Sequence, residues 1–146
     1  MIEPRIVVEE APDADLRETI ARPLKAYNVG KIGPLVQEPL ALLLKDPENG
    51  EIVGGVWAVS TFGWLAIDLL FVPERWRARG IGTALMKKTE EIAVKRGCFA
   101  IRLETSSFQA PGFYEKLGYS AYGKLEGYPD GYTHFYYVKS LKKDWQ

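Results

Sequence analysis

A short basic segment, Arg77-Ala78-Arg79-Gly80-Ile81-Gly82-Thr83, stands between two different periodicities and narrows the fold more than any other stretch. Upstream, Trp64 to Val72 is an apolar run broken only by Asp68, with the length and character of a buried strand. Downstream, Ile81, Ala84, Leu85, Ile92 and Ala93 follow a helical pattern. A strand that turns through such a loop into a helix presents N–H groups with no partners, at the positive end of the helix dipole. That arrangement suits a phosphate. Gly80 and Gly82 admit close approach to the main chain, and Arg77 and Arg79 can add charge-assisted hydrogen bonds. The same glycines would equally serve close packing of helix on strand, and the loop alone does not separate the two uses. The dinucleotide pattern G-x-G-x-x-G fails because Leu85 stands at its third glycine, and the ATP-loop pattern G-x-x-x-x-G-K-[ST] does not occur.

A second segment, Ser-Phe-Gln-Ala-Pro-Gly-Phe-Tyr-Glu-Lys-Leu-Gly-Tyr from Ser107 to Tyr119, separates them. With the loop, it resembles the GNAT superfamily of N-acetyltransferases. The loop matches that family at Arg77, Gly80 and Gly82, and the second segment at Ala110, Phe113, Tyr114, Lys116, Gly118 and Tyr119. The resemblance covers the chain from about Glu51 onward. It implies an α/β (α+β) fold: a mixed, mostly antiparallel sheet with two splayed central parallel strands and flanking helices, formed by residues 1–146 as one domain. It also implies acetyl-CoA as co-substrate. The pantetheine arm would pair with the backbone of Leu70, Phe71 and Val72, and the pyrophosphate would lie on Arg77, Arg79, Gly80, Ile81, Gly82 and Thr83. Ser107 stands where many relatives carry an asparagine that holds the arm, with Gln109 as an alternative.

Composition sets limits. Lysine plus arginine equal aspartate plus glutamate, 19 against 19, so no general attraction to nucleic acid or an acidic membrane is expected. No apolar run is long enough for a bilayer-spanning helix, and Met1 to Arg5 does not read as a signal peptide. The single cysteine, Cys98, suits packing in a reducing cytoplasm, and one His with one Cys makes a zinc site improbable.

The elements alternate. Arg5 to Val8 reads as a first strand. Asp13 or Asp15 can cap a helix through Leu16, Ile20 and Leu24, with Glu18 completing a capping box. Lys25 to Pro39, with Gly30, Gly33 and two prolines, reads as an irregular loop. Strands are expected at Leu40–Leu44, Ile52–Ser60, Trp64–Val72, Cys98–Leu103, Tyr119–Leu125 and Thr133–Val138. Helices are expected at Gly80–Arg96 and Pro111–Leu117.

Acyl transfer needs a neutral amine and a proton for the leaving thiolate. A tyrosine donates at neutral pH, and the resemblance puts Tyr114 beside the CoA sulfur as general acid. Alternation sets Ala66, Asp68, Leu70 and Val72 on one strand face, so Asp68 is a candidate base and Glu104 its rival. Each serves equally as a structural acid. His134 reads as a packed or surface residue. Tyr27, Trp57, Trp64, Tyr128 and Tyr132 can wall an acceptor site for a small-molecule amine or, second, a peptide amine. A CoA-binding module without catalysis is the reading from another class. The aromatics Tyr132–Tyr137 leave both a monomer and a homodimer open.

Overall fold

The computed structural model describes residues 1–142 and divides into two compact units, Met1–Leu35 and a second from Val36 onward. The first unit carries one helix, α1 (Ala14–Ile32). Asp13 is its cap: its carboxylate accepts the N–H of Leu16 at 3.0 Å. The capping box expected between Asp15 and Glu18 is therefore displaced, because the helix starts two residues earlier. The expected strand Arg5–Val8 does not form, since the unit contains no strand to pair with it. The expected irregular loop is also corrected. Gly30 stays helical and α1 runs on to Ile32, a glycine inside a helix costing only about 1 kcal/mol. Gly33, at φ 83°, is the true stop, and its N–H closes on the carbonyl of Val29 at 2.9 Å.

The second unit is a six-stranded sheet. Its elements are β1 (Glu38–Lys45), β2 (Ile52–Thr61), β3 (Trp64–Phe71), α2 (Ile81–Lys95), β4 (Ala100–Ser106), α3 (Pro111–Lys116), β5 (Ser120–Glu126) and β6 (Thr133–Ser140). The spatial order is β1-β2-β3-β4-β6-β5, and only β3 and β4 run parallel. That pair is joined through α2, as a parallel crossover requires. Pro39, expected in the loop, lies in β1, where an edge strand tolerates a missing donor. The β2–β3 hairpin turns at Phe62 (φ 52°) and Gly63 (φ 79°), both left-handed, as a two-residue loop of this twist demands.

One sheet face holds the core. Leu85, Met86 and Ala93 of α2 pack with Val56, Ala58, Leu65, Ile67, Ile101 and Leu103, and Tyr114, Tyr119 and Tyr137 extend the cluster under α3. Cys98 lies in the turn before β4 and is buried there, its N–H bonded to the carbonyl of Ala93. Among the described residues no helix is long and apolar enough to cross a membrane.

Gly55 fixes how closely β1 approaches β2. Its φ is 136°, and a Cβ there would drive into the backbone carbonyl of Leu42. Gly55→Ala should lower stability by more than about 2 kcal/mol, through strain plus a displaced strand. Urea unfolding measures this, and an unchanged midpoint would contradict it.

Candidate active site

β3 and β4 pair from Trp64 opposite Ala100 to Ile67 opposite Leu103, and there the pairing ends. β3 continues to Phe71 and β4 to Ser106 with a gap between them. Two causes are visible. Asp68 is an extra residue in β3: Ala58 faces Ile67, Trp57 faces Leu69, and nothing on β2 faces Asp68. Such a bulge bends its strand. β4 meanwhile stays with β6, through Glu104 opposite Tyr136, Thr105 opposite Phe135 and Ser106 opposite His134. The bulge also corrects the expected alternation. Leu70 pairs with buried Val56 on the α2 face, so it does not share a face with Ala66.

Val72 follows β3 and leads through a 3-10 turn (Glu74–Trp76) to the start of α2. Arg77 folds back: its Nε donates to the carbonyl of Val72 at 2.8 Å, and its guanidinium lies 5.6 Å from the Phe71 ring centroid. Arg77 therefore braces the loop, with its two terminal nitrogens still available. Ala78 (φ 61°) and Gly80 (φ 78°) are both left-handed, and this curls the loop into the helix start. Gly80 caps α2 with no side chain and no acid stands in the first turn, so the N–H groups of Ile81, Gly82 and Thr83 meet no carboxylate there.

The two glycines divide the roles that the sequence left undecided. Around Gly80 there is open space where a Cβ would stand. A Cβ on Gly82 would meet the Phe113 ring at 3.2 Å and Val72 at 4.0 Å. Gly82 thus lets α3 dock against the first turn of α2.

Tyr114 follows Phe113 and turns the other way. Its ring lies 5.1 Å from Phe113, 6.0 Å from Tyr119 and 6.2 Å from Tyr137. Tyr137 pairs with Leu103, the last β4 residue held to β3. Tyr114 therefore spans the mouth of the gap on the core face, between the α2 start and β6. Tyr119 donates to Glu90 at 3.3 Å and Tyr137 donates to Glu115 at 3.0 Å. Among the described residues the Tyr114 hydroxyl has no such partner, yet it is not a sealed, unsatisfied polar atom. Its ring is buried and its oxygen keeps some exposure.

A network absent from the sequence reading holds α3 in place. Lys139 donates to both oxygens of Glu90, at 2.7 and 3.1 Å, and to the carbonyl of Leu117 at 2.7 Å. It ties the end of α3 to α2 and β6. No short spacing announces it, because Glu90 and Lys139 are far apart in sequence.

The other candidates lie at the end of β4. Ser107 accepts the N–H of Thr133 on its hydroxyl at 2.9 Å, which leaves its O–H and one lone pair for a ligand. Gln109 is committed to the turn, accepting from Thr105 Oγ1 at 3.0 Å and from the N–H of Ser106 at 2.8 Å. On the sheet face away from the core, Glu104 Oε1 lies 3.8 Å from His134 Nε2, while Asp68 stands exposed at its bulge. Of the expected aromatic walls, Trp57, Tyr128 and Tyr132 are exposed, Trp64 packs edge-on to Phe99, and Tyr27 belongs to the first unit. Phe135 and Tyr137, from the aromatic run, join the core.

A parted parallel strand pair, a glycine-capped helix start and a buried tyrosine lie together in this unit. The profile of the Acetyltransferase (GNAT) family matches residues 7–119, and the chain belongs to that family of acetyltransferases, which use acetyl-CoA. It is 34% identical over 119 residues to acetyltransferase Atu2258 of Agrobacterium fabrum, covering 82% of this chain and 86% of that one. It is 35% identical over 122 residues to blasticidin-S acetyltransferase of Streptomyces morookaense, covering 83% and 79%. A solved acetyltransferase of Bacillus cereus superposes with a TM-score of 0.84 at 36% identity, covering 92% and 98%.

Burial pushes the Tyr114 phenol up to about 12 from 10.0. A phenol kept protonated by the fold leaves stability intact below pH 10, and the advantage is lost as pH rises through 12. That shift amounts to about 3 kcal/mol. Burial also raises Tyr119 and Tyr137, so wild type should lose stability steeply from pH 10 upward. Tyr114→Phe should show a shallower decline in urea unfolding at pH 10–12. Parallel declines would contradict the assignment.

Proposed function

We propose that this chain transfers the acetyl group of acetyl-CoA to a primary amine of a small molecule, by direct attack, with Tyr114 as general acid. The observation that carries the reading is the Tyr114 hydroxyl, the one among three buried tyrosines without a carboxylate partner, at the mouth of the strand gap. The free edge of β3 at Leu70 and Phe71 offers backbone groups to an extended amide-bearing arm, as an added strand would use them. The carbonyl of Val72 is taken by Arg77 and contributes less than the sequence suggested. Pyrophosphate is suited by the N–H groups of Ile81, Gly82 and Thr83, the open side of Gly80, and the cations Arg77 and Arg79. The chemistry supplied by acetyl-CoA is an activated thioester. Tyr114 holds a proton at its Oη and delivers it to the departing sulfur.

The acceptor class rests on the blasticidin-S relative and on the outward aromatic face. Tyr128 lies 5.1 Å from His134, and His134 lies 5.2 Å from Tyr136. These rings together with Glu104 suit a planar or cationic amine.

Free thiol released from acetyl-CoA, with blasticidin S and n-butylamine as acceptors, tests the reading. Tyr114→Phe should lower single-turnover kcat by roughly 10²–10⁴-fold with acetyl-CoA affinity near normal. An unchanged single-turnover rate would remove Tyr114 from the role.

Gly80→Asp tests the phosphate site separately. Aspartate tolerates the left-handed conformation and caps helices well, so the fold should persist. Its carboxylate would face the phosphates, and calorimetry should show acetyl-CoA affinity falling about tenfold or more, roughly 1.4 kcal/mol per decade. Wild-type affinity would place the phosphates elsewhere.

A further inference from the structure

We infer that His134, paired with Glu104, is the group that takes the proton from the acceptor amine. The inference rests on the acetyl-transfer reading above and adds the missing base.

The strand register brings the pair together. Ser106 faces His134 and Glu104 faces Tyr136, so the carboxylate and the imidazole occupy neighbouring positions on one face of β4 and β6. Glu104 is the first β4 residue beyond the last pair with β3, which puts it at the edge of the gap. His134 Nε2 lies 3.8 Å from Glu104 Oε1, so the imidazolium has an ion-pair partner as it forms. The imidazole side chain is largely covered, the carboxylate half exposed, and Tyr128 and Tyr136 flank the ring at 5.1 and 5.2 Å. The face opposite the core thus carries a proton acceptor, and the core face carries the proton donor Tyr114. In the transfer the base serves the amine nitrogen and the acid serves the sulfur.

The step balances. His134 takes one proton from the ammonium form of the acceptor. The freed nitrogen lone pair forms the C–N bond, and the C–S bond breaks with its electron pair leaving on sulfur. Tyr114 protonates the sulfur and regains its proton, through solvent, from the new amide nitrogen. His134 releases its proton to water. The net products are the amide, CoA thiol and one proton.

The other ionisable and charged groups around this pair are Arg102 from β4, Tyr136 from β6, Tyr122 from β5 and Tyr128 from the connecting turn, with Asp68 at the bulge of β3. Asp68 is the rival base. It stands at a bulge, exposed, with no ion-pair partner among the described residues.

The test uses the full chain with n-butylamine, an ammonium at neutral pH, and blasticidin S. His134→Gln should lower kcat on n-butylamine by 10²-fold or more, with acetyl-CoA affinity unchanged. Its kcat/KM profile should lose the wild-type acid limb and follow only the fraction of free amine, rising into the alkaline range, and Asp68→Asn should retain the wild-type limb. A wild-type rate and limb in His134→Gln, or loss of the limb in Asp68→Asn instead, would overturn the inference. A second arm needs no turnover. His134 is the only histidine, so its ring protons are a single resolved pair in NMR. Either amine, added to the CoA complex, should shift those signals. Unmoved signals would overturn the inference. Absence of wild-type acetylation of both amines would count against the acetyl-transfer reading, which separates the two failures.

Discussion

The parting of β3 from β4 after Ile67 and Leu103 is the constraint on which the rest of the site depends. A continuous sheet would satisfy the backbone groups of Asp68–Phe71 with a neighbouring strand and leave nothing to bind. Here one extra residue, Asp68, bends β3 along β2, while β6 holds β4 on its own course. Both strands stay paired on their outer sides, β3 with β2 on either side of the bulge and β4 with β6 throughout, so the opening is held by two antiparallel pairings and needs no loop to form it. That rigidity is what a site must have if a donor and an acceptor are to meet without reorganisation.

The elements around the gap support it from the core face. Gly82 lets Phe113 rest on the first turn of α2, which brings α3 over the opening. Lys139 and Glu90 fasten the other end of α3 through Leu117. Tyr119 and Tyr137 then spend their hydroxyls on Glu90 and Glu115, and Tyr114 between them keeps its own for other use. Their partners separate the two bonded tyrosines from Tyr114, which the sequence resemblance also singles out.

Much of this was legible beforehand, and for physical reasons. The apolar run before Arg77 and the helical pattern after it marked the strand, loop and helix correctly, since burial imposes a period. Asp68 and Glu104 were named from their strands, and both do flank the gap. Other features left no local trace. A bulge is one residue in a run that reads as unbroken, so the face of Leu70 was misplaced. Gly82 read equally as a phosphate glycine and as a packing glycine, because its packing neighbour Phe113 is distant in sequence. Gly30 looked like a break, yet a helix absorbs one glycine. The approach of His134 to Glu104 depends on the β4–β6 register, which no spacing within either strand encodes. Gln109 was open to two uses, and the turn after β4 claims it.

Backbone amide hydrogen exchange, with and without acetyl-CoA, tests the central claim most directly. The account predicts that acetyl-CoA protects whichever amide of Leu70 and Phe71 points away from β2, since adjacent residues of a strand face opposite edges, together with those of Ile81, Gly82 and Thr83 at the start of α2, while β1 and β5 exchange as before. Protection confined to other segments, or exchange at these amides that acetyl-CoA leaves unchanged, would contradict it.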